Sequence, residues 1–275
     1  MRRARRAGPE GPATAVVAPA GSAERDPAWP SELADQLRGV TELLAVVAHP
    51  DDESFGLGAL LSALASTGRR VRVLCLTHGE ASTLGASGAL GEVRASELEC
   101  AARRLGVAGA TLDDWPDGEL ARADPSLLAR RIADHAAGAG AIVVFEPSGV
   151  TGHPDHQVAS RLATAVAGEL GLATIEWGVP GAVAARLREE LGVTLSALEE
   201  EAGGVLAVPV DRSRQWAAIG CHVSQQPDNP LLARRLELTG PEEWIRLRPA
   251  PFERRRTRPP GNPSDIDHER LDARS

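Results

Sequence analysis

Two short clusters of histidine and carboxylate carry most of the chemistry open to this chain: His49-Pro50-Asp51-Asp52-Glu53 and Gly152-His153-Pro154-Asp155-His156. His49 and Asp52 are three residues apart, so a single turn can bring both side chains to one point. His156 supplies a third ligand from a second loop. Two imidazoles and one carboxylate suit a catalytic zinc, which takes three protein ligands and keeps a position for water. The same set tolerates other first-row divalent ions. Asp51, between two of the ligands, is left to act as general base on metal-bound water, a role worth about 10²–10⁴-fold in rate. Coordination itself lowers the pKa of that water from about 15.7 towards 7. His153 lies one turn before His156 and faces the same cavity. When protonated, it would stabilise an oxyanion or pass a proton to a leaving amine. Asp155 is placed to accept a hydrogen bond from an imidazole and fix its tautomer. Each cluster also has a plainer reading. Asp51-Asp52-Glu53 would serve as helix N-terminal charges answering the dipole, and His-Pro-Asp-His as a helix start with proline at its first position. Both clusters occurring together, each after an apolar run, points to one metal site.

The elements that must position these residues are legible as hydrophobic runs. Leu43 to Ala48 and Ala141 to Phe145 read as buried strands, and the apolar spacing from Gly56 to Gly68 reads as a helix. Both clusters therefore sit at the carboxyl ends of strands, where open α/β sheets bind their ligands. Strands are expected at 43–48, 71–77, 110–112, 141–146, 173–177 and 205–210. Helices are expected at 57–67, 91–105, 125–137, 154–169, 181–191, 211–222 and 230–237, the fourth with Val158, Leu162 and Val166 on one stripe. This alternation implies an α/β fold, a mostly parallel sheet with helices on both faces. The folded part is expected to be a single domain over 31–250. Residues 1–30, rich in Arg, Ala, Gly and Pro, and the polar tail 251–275, with its arginine run, are expected to be disordered.

Composition narrows the class. At 275 residues and 43% hydrophobic content the chain can build a substantial core, and a net charge of −8 argues against a nucleic-acid partner. Cys75, Cys100 and Cys221 are few, widely spaced and without a Cys-x-x-Cys pair, so neither a disulfide framework nor a thiolate zinc site is expected. The basic start is followed by no apolar signal core, and no apolar run reaches membrane-spanning length. A soluble cytoplasmic protein acting on a small molecule is the expectation.

From about Leu43 to Gln225 the chain resembles the PIG-L/LmbE-like family of zinc-dependent de-N-acetylases. The resemblance rests on Ala48 to Glu53, Thr77-His78-Gly79-Glu80, Arg94-x-x-Glu97, Gly152 to His156 and His222-x-Ser224-Gln225. It implies a Rossmann-like fold with one zinc held by His49, Asp52 and His156. It further implies Asp51 as base, His153 as stabiliser of the tetrahedral intermediate, and Asp155 orienting His153. The reaction implied is hydrolysis of an N-acetyl group from an amino sugar, giving acetate and a free amine. Arg94 matches a family arginine that hydrogen-bonds sugar hydroxyls, or else pairs with Glu97 on the helix surface. Asp117 binds a hydroxyl or is a turn aspartate before Gly118. Thr151 stands where some relatives carry a tyrosine. His78 borders the pocket or is a satisfied loop histidine, and His222 reaches the site or caps a helix. Other readings are an amidase on a thiol conjugate or natural product, and a metal- or sugar-binding module without turnover. A two-metal phosphoesterase would bring more carboxylates.

Overall fold

The run Leu43-Leu44-Ala45-Val46-Val47 is apolar at every position, as a strand covered on both faces must be. In the computed structural model, which describes residues 28–84, 88–198, 204–225 and 229–250, it is an interior strand of the sheet. This strand, β1 (Glu42–Val47), pairs in parallel with β2 (Arg70–Thr77) on one side and β4 (Ala141–Phe145) on the other. β3 (Gly109–Trp115) pairs in parallel outside β2, and β5 (Ala173–Pro180) outside β4. The order β3-β2-β1-β4-β5 puts the reversal of winding between β1 and β4. The carboxyl ends of those two strands therefore open a crevice, and each is followed by one of the His/Asp clusters.

Alternate strand residues feed two cores. Leu43, Ala45, Val47, Val143 and Ile175 pack beneath α1 (Ser31–Gln36), α3 (Gly58–Ser66) and α8 (Gly181–Leu191). Leu44, Val46, Leu74, Ile142 and Val144 pack beneath α5 (Pro125–Ala136) and α7 (Pro154–Leu170). Further helices are α2 (Asp52–Phe55), α4 (Leu90–Leu105), α6 (Gly149–Gly152), α9 (Ser213–Ile219) and α10 (Pro230–Thr239). No helix among the described residues is long and apolar enough to cross a membrane.

Several expectations are corrected. The sheet gains β8 (Glu242–Arg248), antiparallel to β5, which no apolar run announces because its residues alternate charged and apolar. β7 (Val205–Pro209) pairs antiparallel to β8, and the two-residue β6 (Ala197–Leu198) extends the end of β5. On α7 the fully packed positions are Ala159, Ala163, Val166 and Ala167, with Val158 and Leu162 at the margin. Small side chains there let the helix lie close to the sheet. Trp29, within the segment expected to be disordered, is buried in the core with Leu33 and Leu37; the rest of that segment, 1–27, and the tail 251–275 lie outside the described residues. Cys100 and Cys221 form a disulfide, against the expectation of none. The fold brings the end of α9 against α4, and a spacing of 121 residues conceals that approach.

Candidate active site and metal centre

Pro50 and Asp51 turn the chain from β1 into α2, and Asp51 does so with φ 148°, a region unfavourable for any residue with a Cβ. The turn is held from both sides. The Asp51 N–H donates to Glu53 Oε2 at 3.0 Å, and its carboxylate accepts from Arg94 Nη2 at 3.0 Å. Asp52 Oδ2 accepts the backbone N–H groups of Ala48 (3.2 Å) and His49 (3.0 Å). That bond pair aims Oδ1 at His156 Nε2, 3.3 Å away, with Oδ2 3.8 Å from His49 Nδ1.

The second cluster is positioned by a loop that folds back on itself. At the end of β4, Glu146 accepts the Val150 N–H (2.7 Å), the Ser148 N–H (2.9 Å) and the Ser148 hydroxyl. Val150 is held at φ 61°, rare for a β-branched residue. Gly149 precedes it at φ 75°, and a Cβ there would sit 2.6 Å from the Cβ of His156. Only glycine permits this approach, and it sets the Gly149 carbonyl 3.2 Å from His156 Nδ1.

The donor set fits a cation. With Nδ1–H of His156 given to the Gly149 carbonyl, its Nε2 carries a lone pair. On His49, Nε2 lies 2.9 Å from Asp117 Oδ1 and 3.5 Å from Asp155 Oδ2, two carboxylates that favour a proton on Nε2 and so a lone pair on Nδ1. The two lone pairs then face each other at 3.1 Å with Asp52 beside them, an arrangement that needs a proton or a metal between them. The same demand is visible in the titration of His49. Burial alone would lower its pKa, but Asp117, Asp155 and Asp52 together raise it to about 10. Carboxylate–imidazole pairs of this kind typically hold metal-ligating histidines. His49 and His156 also group with His153, with ligand atoms within 4.8 Å of one another.

Some sequence-predicted residues take other partners. The Asp155 carboxylate faces His49, not His153, and is fully buried, accepting the N–H groups of Gly118 (2.8 Å) and Leu120 (3.1 Å). What holds His153 is the Asp155 backbone, whose N–H donates to His153 Nδ1 at 3.2 Å. Burial, then the neighbouring His49 and His156, keep the His153 pKa below its ordinary value, so a protonated His153 is disfavoured in this environment. With Nδ1 accepting, its one proton sits on Nε2. Asp117 spends Oδ1 on His49 and Oδ2 on the Ala81 N–H (2.9 Å). Arg94 is not in a surface pair with Glu97. It is buried and donates to the carbonyls of Gly79 (2.8 Å) and Pro50 (2.6 Å) as well as to Asp51. His78 is a satisfied loop histidine, 2.9 Å from the exposed Asp114.

Behind the centre lies a network that no single motif revealed. His222 is fully buried, with Nε2 2.7 Å from Glu53 Oε1, and so supports the Asp51 turn from below. Glu97 accepts the N–H (2.8 Å) and hydroxyl (2.7 Å) of Ser224. The His222-x-Ser224-Gln225 pattern was the available signal, but its partners lie more than a hundred residues away. Over the centre opens a cleft of about 520 Å³, lined by Asp51, Asp52, His153 and His156 together with Phe55, Phe145, Trp177 and Arg235.

Residues 44–167 match the PIG-L family, described as GlcNAc-PI de-N-acetylase. The 1D-myo-inositol 2-acetamido-2-deoxy-alpha-D-glucopyranoside deacetylase of Mycobacteroides abscessus is 30% identical over 230 residues, 66% of this chain and 81% of that one. The chain belongs to the PIG-L family. A second family member of that description, from Kineococcus radiotolerans, is 34% identical over 169 residues, 49% of this chain and 46% of its own length. This chain spans about half the length of several curated PIG-L relatives it matches. A solved deacetylase of the teicoplanin biosynthesis pathway shares the Rossmann-like fold, with a TM-score of 0.59 at 19% identity over 78% of this chain and 100% of that one.

Proposed function

We propose that this PIG-L protein is a divalent-metal-dependent amide hydrolase that removes the N-acetyl group from an amino sugar or sugar conjugate. The observation that carries this reading is the approach of His49 Nδ1 to His156 Nε2 at 3.1 Å, with Asp52 Oδ1 3.3 Å from the latter, all three residues lining one cleft. His49, Asp52 and His156 would hold the ion, with Asp117 and Asp155 fixing the tautomer of His49. A zinc or similar ion held there would supply Lewis acidity to the amide carbonyl and would lower the pKa of a water towards neutrality.

The remaining work falls to side chains. Asp51 takes the proton of the attacking water. Burial, then the charge of Asp52, raises its pKa to about 7, while Arg94 acts in the opposite sense, so Asp51 is poised to accept and return a proton near neutrality. His153, neutral, turns its Nε2–H to the oxygen that becomes an oxyanion as the carbonyl carbon goes tetrahedral. When the C–N bond breaks, the proton held by Asp51 goes to the leaving nitrogen, and acetate and a primary amine result. Arg94 holds Asp51 in position and completes the cleft wall. A cytoplasmic setting belongs to the same proposal.

The test is amine release from N-acetylglucosamine conjugates, including the N-acetylglucosaminyl inositol named for the relatives, by protein reconstituted with zinc or another divalent ion. Absence of release across the panel with metal bound would leave a binding module as the surviving reading.

A further inference from the structure

The lining of the cleft contains a buried positive charge without a carboxylate of its own. α10 turns Leu232, Arg235, Leu236 and Thr239 inward, so a guanidinium lies on the face of the helix where an apolar residue is ordinary. Arg235 is 5% exposed; Nη2 donates to the Phe55 carbonyl, its guanidinium stacks 5.0 Å over the ring of Trp177, and Nη1 has no hydrogen-bond partner among the described residues. A guanidinium buried without a carboxylate of its own is unfavourable unless something offsets it.

The local charges do not balance. Glu243 is the acid nearest in effect, but it is already engaged by Arg212 and by the Trp177 indole N–H at 2.7 Å. Arg212 is itself saturated by Glu243, Gln215 (2.7 Å), Thr239 (2.9 Å) and backbone carbonyls. Two guanidinium groups thus share one carboxylate, and the surplus charge is the one that lines the cleft. Burial draws the Arg235 pKa down to about 10, the mark of a cation lacking its counter-ion.

Its place relative to the reaction centre is given by a ladder of rings. His156 to Phe145 is 5.3 Å, Phe145 to Trp177 is 5.3 Å, and Trp177 to the Arg235 guanidinium is 5.0 Å. The stretch suits an amino sugar carrying one further group, with aromatic rings for its apolar part.

We infer that Arg235 is the anion subsite of this cleft, and that the preferred substrate is an N-acyl amino-sugar conjugate whose second moiety bears an oxyanion, a carboxylate or a phosphate monoester. This rests on the deacylase reading above and adds the chemistry of the leaving conjugate. The guanidinium supplies the positive charge, and its stack on Trp177 and bond to the Phe55 carbonyl keep it fixed so that little is lost on binding.

The experiment uses the full metal-loaded chain and three aryl N-acetylglucosaminides differing only in the ring substituent: carboxylate, phosphate, and the carboxylate's neutral methyl ester. Amine release is measured for each, and calorimetry follows binding of the three corresponding amine products. One of the anions should exceed the ester by about 100-fold in kcat/KM, the energy of a charge-assisted hydrogen bond at a buried site, and the better anion identifies the source. In R235M the ratio of acid to ester should fall to near one, and in R235K to an intermediate value. Equal turnover of acid and ester by wild type overturns the inference while leaving the deacylase reading standing, and needs no variant to fold. No turnover of any, with products bound in the order anion above ester, refutes the deacylase reading and supports the subsite. Products bound without preference refute the subsite.

Discussion

At the scale of single residues, the proposed roles separate holding an ion from moving a proton. His156 meets Asp52 and His49 at 3.3 and 3.1 Å, whereas Asp51 turns its carboxylate to Arg94. The two roles predict opposite phenotypes. His156→Ala removes one of three ligands and should lose most of its bound metal in elemental analysis. Asp51→Asn keeps every ligand and should keep metal and fold, yet lose about 10²-fold or more in turnover, since an amide cannot take the proton of water. An Asp51→Asn protein as active as wild type would move the base elsewhere. Strain agrees with this division: Asp51 at φ 148° and Val150 at φ 61° are the only non-glycine residues at positive φ among those described, and each lies in or beside one of the two His/Asp clusters. Such conformations persist only where the surroundings over-determine them, as Glu53 and Glu146 do here through backbone N–H groups.

At the scale of elements, the centre is supported by α4 and by the turn after α9, which are tied together twice. Cys100–Cys221 is the covalent tie, and Glu97 to Ser224 the polar one. Cys221→Ser should lower unfolding stability by roughly 2–4 kcal/mol, the usual worth of a disulfide closing a long loop; urea titration under non-reducing conditions reads it. A Cys221→Ser protein as stable as wild type would mean the bond constrains nothing. His222, the next residue, gives a pH dependence. Burial would lower its pKa, but the charge and hydrogen bond of Glu53 outweigh that and raise it. A histidine whose folded pKa lies above the unfolded value contributes stability fully below about 6.5 and loses it as pH rises through the folded value. The stability gap between wild type and His222→Gln should therefore be wide at pH 6 and narrow towards pH 9. A gap that widened with pH would mean the imidazole is neutral at Glu53.

At the scale of the molecule, one crevice collects everything. The reversal of strand order between β1 and β4 sends two loops to one point, and α10 adds Leu231, Leu232 and Arg235 to the lining of the cleft from the C-terminal part. Metal binding should couple to the stability of the whole domain, because anything bound by the native state alone adds RT ln(1 + [L]/Kd). Chelation should lower the melting temperature of the wild-type protein, and added zinc should restore it. The same titration on His156→Ala should show little response. A wild type indifferent to chelator would leave the facing lone pairs of His49 and His156 to be explained by a proton.

The chain determined the parts that depend on near neighbours. Apolar runs at 43–48 and 141–146 fixed two interior strands because a strand buried on both faces has no place for polar side chains. Spacing within each cluster fixed which histidines and carboxylates could meet, since His49 and Asp52 share one turn and His153 and His156 another. What only the tertiary structure decided is which group each long-range partner serves. Asp155 reaches His49 rather than the His153 two residues before it, because entry into α7 points its carboxylate across the crevice. Asp117 and His49, Cys100 and Cys221, and Glu53 and His222 are all separated by more than sixty residues. Nothing in the local pattern distinguishes Arg235 from the other charges of its helix or marks 242–248 as a strand. The unpaired guanidinium and the strand both exist only because folding sets α10 and β8 against β5 and the cleft. Local pattern encodes which face is apolar, whereas the direction of a buried side chain is set by what is packed on the other side.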